Sequence, residues 1–219
     1  NFSITNEKFV NNNYEVDFEV KMEQITLGTL ILKFGMPMPL VDQINEICDA
    51  SKVIPFNSQL AGKINDEFSI TSALSDDHKS IFLTFFEQYL DRCNKRFWKC
   101  YLDEVWYNDM RAGEYNPMHF HRSAKSDVGL SSVLVLKRPE TYGKEYSVEQ
   151  EPRNGYLTFV SGVQDPLAAS MYQVDAQVGD FFIFPFTLIH GVYPFNGTDE
   201  VRRTLSYNCN LFREAIFDE

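Results

Sequence analysis

The chain has 219 residues, 44% of them apolar and 15% aromatic, enough for a substantial core and too much for a disordered or fibrous chain. A net charge of −11 supplies no general positive field for phosphate binding, so nucleic acid is not expected as a partner. No apolar run approaches the roughly 18–20 residues that cross a bilayer, and the first residues carry no signal-peptide pattern. Cys48, Cys93, Cys100 and Cys209 form no C-x-x-C pair and are expected as reduced thiols of a soluble, cytoplasmic protein.

Residues 1–24 are polar, with Asn11-Asn12-Asn13 as a loop signal and Tyr14 to Val20 alternating in the period of a strand, either an edge strand or an ordered arm. The run Ile25 to Phe34 is rich in β-formers and is closed by Gly35, Pro37 and Pro39. Leu40, Val41, Ile44, Ile47 and Cys48 lie on one stripe of a 3.6-residue period, which predicts a packing helix. Residues 52–74, with Pro55 and Gly62, read as irregular. A second helix is expected from Ser75-Asp76-Asp77, whose side chains can cap free N–H groups. Ile81, Phe85, Tyr89, Cys93 and Phe97 form its expected packing stripe, and His78 is read as a solvated residue of its first turn.

From Tyr101 the texture changes to short strands, expected at 102–110, 128–137, 155–161, 170–175, 180–185, 188–193 and 201–212. Turn signals such as Ala112-Gly113-Glu114, Gln164-Asp165-Pro166 and Gly179-Asp180 separate them. No repeat or linker divides the chain. The expectation is one domain over 1–219, mainly β with helices: N-terminal strands and buttressing helices in 1–100 and a two-sheet jelly-roll core in 101–212.

Three of the four histidines fall in two places, His119-Phe120-His121 and His190. Side chains two apart on a strand share a face, so His119 and His121 aim at one point, and a strand from the far side of a barrel can add His190. Three neutral imidazoles bind a divalent ion such as iron, zinc, copper or nickel, and a facial set leaves positions open for other ligands. Taken singly, each is as well explained as a satisfied core or surface histidine. Strand alternation also puts Arg202, Thr204, Ser206 and Asn208 on one face and Arg203, Leu205, Tyr207 and Cys209 on the other. A guanidinium fork with a hydroxyl two residues on suits a carboxylate. The plainer alternative is two solvated arginines on an edge strand.

The ordered series Trp106-Tyr107-Asn108, Ala112-Gly113-Glu114-Tyr115, His119-Phe120-His121, Gly129 to Val133, Gly179 to Pro185, His190 to Pro194 and Arg202 to Asn208 resembles the 2-oxoglutarate and Fe(II)-dependent oxygenases. It is most similar to the small oxygenases of bacteria and T4-like marine phages. The likeness covers about residues 100–212, and Ser58 to Ile64 is similar to an upstream segment of the phage members. It implies a double-stranded β-helix with iron at its open end, held by His119, by His121 in the place of the usual carboxylate, and by His190. It implies Arg202 and Thr204 on the C5 carboxylate of 2-oxoglutarate, with Asn108 a further candidate for that pocket. Dioxygen is the oxidant, and hydroxylation of a C–H bond with release of succinate and CO2 the usual outcome. A phage gene would put the protein in the host cytoplasm.

His121 departs from the family pattern, and Asp127 is an alternative acidic ligand. Two other readings stand beside this one: a cupin-like three-histidine dioxygenase that needs no 2-oxoglutarate, and a non-catalytic jelly-roll binding or structural protein. Loops 138–155 and 161–169, with Tyr142, Tyr146, Arg153 and Gln164, are expected at the pocket mouth. A small-molecule or peptide substrate fits, with its identity and the oligomeric state open.

Overall fold

The strand-and-turn pattern of the second half folds into two antiparallel sheets, those of a jelly roll. A computed structural model describes residues 2–10, 17–25, 28–51, 54–56, 62–95, 97–144, 153–162 and 169–214, with side chains from residue 28 onward. The first two strands, β1 (Phe2–Val10) and β2 (Asp17–Ile25), pair as a hairpin. There follow β3 (Leu32–Gly35), helix α1 (Met38–Ala50), β4 (Asp66–Ser69) and helix α2 (Asp76–Arg92). The core strands are β5 (Trp98–Met110), β6 (Asn116–His119), β7 (Gly129–Lys137), β8 (Leu157–Val160), β9 (Met171–Val174), β10 (Asp180–Pro185), β11 (Ile189–Val192) and β12 (Arg202–Arg213). One sheet has the order β3-β10-β7-β12-β5-β4 and the other β6-β11-β8-β9. No helix among the described residues is long and apolar enough to cross a membrane.

Two central strands of the larger sheet, β7 and β10, are buried on both faces and are rich in apolar residues on both. In β10, Phe181 and Ile183 pack towards the helices, while Phe182 and Phe184 pack between the sheets with Val133, Leu157 and Phe159. Helix α1 buries Val41, Ile44 and Cys48, the stripe expected from its period. Helix α2 starts at the expected cap, where the Ser75 hydroxyl accepts from the His78 N–H at 3.2 Å and pairs with His78 Nδ1 at 2.7 Å. His78 therefore belongs to the cap.

Several expectations need correcting. The buried face of α2 is Phe82, Phe86, Tyr89 and Leu90, whereas Ile81 and Phe97 are 40% and 57% exposed. A strict four-residue spacing drifts about 40° per step around a helix, so a long i+4 stripe leaves the core. The run from Ile25 to Phe34 is not one strand: Ile25 ends β2, β3 begins at Leu32, and Gly28 takes a φ of +135° between them. The segment 52–74 is not all irregular, since β4 lies in it and pairs with β5 in the register Glu67↔Asn108. Asn11 to Asn13, Tyr14 to Val16 and Gln164 to Pro166 lie outside the described residues.

The two neighbouring arginines do not behave as solvated charges. Arg203 faces the helices, where Nε and Nη2 donate to the two oxygens of Asp109 at 2.6 and 2.7 Å, and it meets Asp49 of α1 at 2.8 Å. Its guanidinium stands over the Tyr107 ring. Arg202 faces the other way.

Candidate active site

The register of β11 on β6 sets His190 directly across from His119. The two strands approach closely because Gly191 has no side chain: a Cβ there would lie 2.9 Å from the Asn116 carbonyl. His121 follows the end of β6 and is fixed by its backbone N–H, which donates to the Phe186 carbonyl at 2.7 Å. One ring nitrogen from each of the three imidazoles lies within 4.8 Å of the others. Among the described residues that group contains no carboxylate, and Asp127 stands exposed outside it.

Local hydrogen bonds set the tautomers. Nδ1 of His119 donates to the Pro117 carbonyl at 2.7 Å and Nδ1 of His190 to the Leu188 carbonyl at 2.8 Å, so both rings turn an Nε2 lone pair inward. Nε2 of His121 is 3.2 Å from Nε2 of His190. Nitrogens bound side by side to one ion at about 2.1 Å stand roughly 3 Å apart, so this spacing suits a shared metal. Burial depresses all three basicities. His121 falls to about 2, through burial and then its neighbours His190 and His119. His190 falls to about 3, through burial and then His119, while the backbone bond opposes. His119 is lowered by burial against the pull of the Pro117 carbonyl. The imidazoles are thus neutral donors at neutral pH, with Trp106 beside His121 and the Phe184 ring edge-on to His190.

A cavity partly open to solvent runs from the histidines between the sheets. Trp106, Asn108 and Met110 of β5 line it with Arg202, Thr204 and Ser206 of β12, which pair in the registers Met110↔Arg202, Asn108↔Thr204 and Trp106↔Ser206. Val133, Leu157, Val192 and Ile64 complete the wall. Arg202 closes the end away from the histidines. It is 2% exposed, and its Nε and Nη2 have no hydrogen-bond partner. Burial lowers its pKa, with the neighbouring Tyr142 hydroxyl acting in the opposite sense. A buried cation with two idle donors calls for an anion.

Residues 104–208 match the family model described as "Putative 2OG-Fe(II) oxygenase". Over that segment the chain is similar to the 2-oxoglutarate and Fe(II)-dependent oxygenases. It matches no curated protein sequence. Among solved structures it is similar to a prolyl-4-hydroxylase of Pseudomonas putida, at 16% identity and a TM-score of 0.55, covering 84% of this chain and 93% of that one. HygX of Streptomyces hygroscopicus, solved with nickel, 2-oxoglutarate and hygromycin B, gives 12% identity and a TM-score of 0.57, covering 84% and 82%. A viral collagen prolyl hydroxylase from Paramecium bursaria Chlorella virus-1, in complex with 2-oxoglutarate, gives 12% and 0.53, covering 82% and 96%. At these identities the likeness concerns the fold.

The residues present fit the family's Fe(II) and 2-oxoglutarate: three converging nitrogen donors for the ion, and a buried guanidinium with two idle nitrogens for a dicarboxylate. All six residues singled out in the sequence, His119, His121, His190, Arg202, Thr204 and Asn108, border the one cavity. Tyr142 is not at the mouth but at the buried end, packed on Phe195 and beneath Arg138. Arg153 is bonded to Gln173 of β9, not to the cavity, and Tyr146 and Gln164 lie outside the described residues. Sequence reasoning misses Trp106, Met110, Asn116 and Ile64. Nothing in their residue types marks them, although strand alternation from Asn108 reaches Trp106 and Met110.

Proposed function

We propose that this protein is a 2-oxoglutarate-dependent hydroxylase, with His119, His121 and His190 holding iron and Arg202 with Thr204 holding the distal carboxylate of 2-oxoglutarate. The observation that carries this is the buried guanidinium of Arg202, with Nε and Nη2 unpaired, in the same cavity as the three imidazoles. When bound, the iron and co-substrate supply the oxidising chemistry, in which decarboxylation to succinate and CO2 accompanies insertion of an oxygen atom from dioxygen into a C–H bond. The chain's own part is to bind, orient and exclude water. The Pro117 and Leu188 carbonyls hold His119 and His190 in the donor tautomer, and Trp106 and Phe184 pack the rings in place. Arg202 offers Nε–H and Nη2–H as a fork, and the Thr204 hydroxyl a further donor, while Val133, Leu157 and Ile64 keep the middle of the cavity apolar.

The substrate is a small molecule or a peptide. Structural neighbours include prolyl hydroxylases and a protein with hygromycin B bound, so the fold alone does not choose between them. The four cysteines are free thiols, which suits a reducing cytoplasm. The chain reads as one oxygenase domain, with N-terminal strands and supporting helices in 1–100 and the β-helix core in 101–212.

The test is succinate formation and iron content in the wild type and in Arg202→Ala. Turnover saturable by 2-oxoglutarate and lost in the variant is expected. Oxygen uptake without succinate would favour the second reading, a cupin-like dioxygenase, which the all-histidine donor set permits. No iron and no turnover would leave a non-catalytic jelly-roll module.

A further inference from the structure

One step along the larger sheet from the cavity, on the same inner face, lies a row of polar side chains that the chemistry above does not use. Strand alternation puts Glu104 of β5, Asn208 of β12 and Ser131 of β7 two residues beyond Trp106, Ser206 and Val133, which line the cavity. Asn208 pairs directly with Glu104 and Ser131 with Phe184, and Ser131 falls opposite Asn208 between the pairs Ser206↔Val133 and Cys209↔Leu130. The row therefore runs Glu104, Asn208, Ser131, Phe184 across four strands. Its last member meets the His190 ring edge-on, with centroids 4.7 Å apart.

Two polar atoms of the row have nothing to bond. Ser131 is 1% exposed and its Oγ has no hydrogen-bond partner, and Asn208 Oδ1 opposite it is likewise buried and unpartnered. Glu104 is held by one oxygen: Oε1 accepts from Ser69 Oγ at 2.6 Å and from the Thr71 hydroxyl. Among the described residues its Oε2 takes no hydrogen bond. The Lys125 ammonium nearby is exposed and bonds Asp103 at 2.6 Å. Aromatic side chains bound the row, with Trp106 on the cavity side and Phe184 at its end. On the other side Gly129 has no side chain, and the Phe186 ring takes the space, 2.6 Å from where a Cβ would stand.

We infer that this row is a subsite for a primary ammonium group of the substrate, whose N–H groups donate to Asn208 Oδ1, Ser131 Oγ and Glu104 Oε2. That the amine belongs to the molecule being oxidised rests on the reading of the cavity given above, but the binding of the amine does not. A carboxylate and an amide oxygen only accept, and a hydroxyl can accept as well. An ammonium group brings three donors and the charge that Glu104 lacks a partner for, whereas a neutral hydroxyl brings one donor. Bonds to charged groups are the stronger ones, and buried acceptors left idle are costly. Neighbouring aromatic rings favour a cation over a neutral group of the same size. The co-substrate has no place here, since 2-oxoglutarate is an anion without donors. The inner face thus separates its two ligands by charge, with the Arg202 cation at one end and the Glu104 anion at the other.

The test uses n-butylammonium and 1-butanol, of like size, as probes in NMR titrations of the full chain, with Mn(II) and 2-oxoglutarate added and with neither. In wild type butylammonium should bind about tenfold more tightly than butanol or better, and Glu104→Gln should remove the preference. Asn208→Val leaves Ser69 and Thr71 on Glu104, so it serves if Glu104→Gln fails to fold, and it should weaken butylammonium by about three- to tenfold. Equal binding of the two probes to wild type, or butylammonium binding unchanged in both variants, would overturn the inference and leave a row filled by water. With iron and 2-oxoglutarate, succinate formation should be stimulated by 1,6-diaminohexane if the amine is that of a small molecule, and by a blocked lysine-containing pentapeptide if it is that of a peptide. The half-saturating concentration should rise about tenfold in Glu104→Gln. Equal stimulation by the N-acetylated amine would count against the subsite. Selective binding of butylammonium with no succinate formed under any condition would overturn the hydroxylase reading and leave the amine subsite standing.

Discussion

Replacing Arg202 by methionine should make the ligand-free protein more stable and the liganded protein less so. In the structure, Nε and Nη2 of Arg202 are buried and unpaired. An idle buried donor costs about 1–3 kcal/mol, and a buried charge exchanged for an apolar side chain of similar length is often neutral or stabilising. The Tyr142 hydroxyl loses a neighbour in the exchange, worth about 1 kcal/mol in the other direction. The net expectation is about 2 kcal/mol in favour of Arg202→Met, or roughly 4–8 °C in Tm for a chain of this size. With Mn(II) already bound, 2-oxoglutarate at a hundredfold excess over Kd should add about 2.7 kcal/mol to wild type, and nothing to the variant. Differential scanning fluorimetry in four conditions, with and without ligand for each protein, reads both effects. A variant that is less stable without ligand yet still shifts on adding 2-oxoglutarate would refute the assignment of Arg202 as the anchor.

Arg203→Met should go the other way, since it removes two short bonds to Asp109, whose side chain is only 4% exposed; a loss of about 3–5 kcal/mol is expected in urea unfolding. His121→Asp restores an anionic donor to the site, and the stabilisation on adding Mn(II), read from the shift in Tm, should exceed that of wild type by about 1 kcal/mol. The ligand-free form of that variant should be weakened by a buried carboxylate with no cation beside it. Gly191→Ala places a Cβ 2.9 Å from the Asn116 carbonyl and 3.1 Å from the Met118 nitrogen, so it should part β6 from β11. Metal affinity, measured by equilibrium dialysis, should fall by about tenfold or more, because a change of roughly 1.4 kcal/mol in donor placement suffices.

The sequence carries the site better than its supports. His119, His121 and His190 are legible because strand period and scarcity act together, and Arg202 because alternation separates it from Arg203. The role of Arg203 is not legible. Its partner Asp109 is 94 residues away, and only the pairing of β12 with β5 reveals that the two are opposite. The burial of Glu67, which stands across from Asn108 at the cavity wall, is hidden for a related reason. The four residues of β4, Asp-Glu-Phe-Ser, are too few and too polar to show a period, and the burial of an acid is decided by what packs over it. Helix α2 can be found from its cap, but its inner face cannot, because it carries large apolar residues on more than one side and only the sheet decides between them. Ile81 is exposed where Phe82 is inside.

The two adjacent arginines show how the site is kept in an unfavourable state. An unpaired buried cation at Arg202 invites the chain to slip by one residue, which would turn it towards Asp109. The existing register puts Arg203 there instead, with two short bonds to Asp109 and a third contact to Asp49, while Leu205 and Tyr207 enter the helix-side core. A slip would exchange those residues for Thr204 and Ser206, losing both the ion pair and the apolar packing. At about 2–3 kcal/mol for each large side chain removed from the core and 3–5 kcal/mol for a broken buried pair, the penalty exceeds what Arg202 would gain. Stability on the helix side of β12 thus holds an otherwise costly guanidinium open on the cavity side, where an anion can use it.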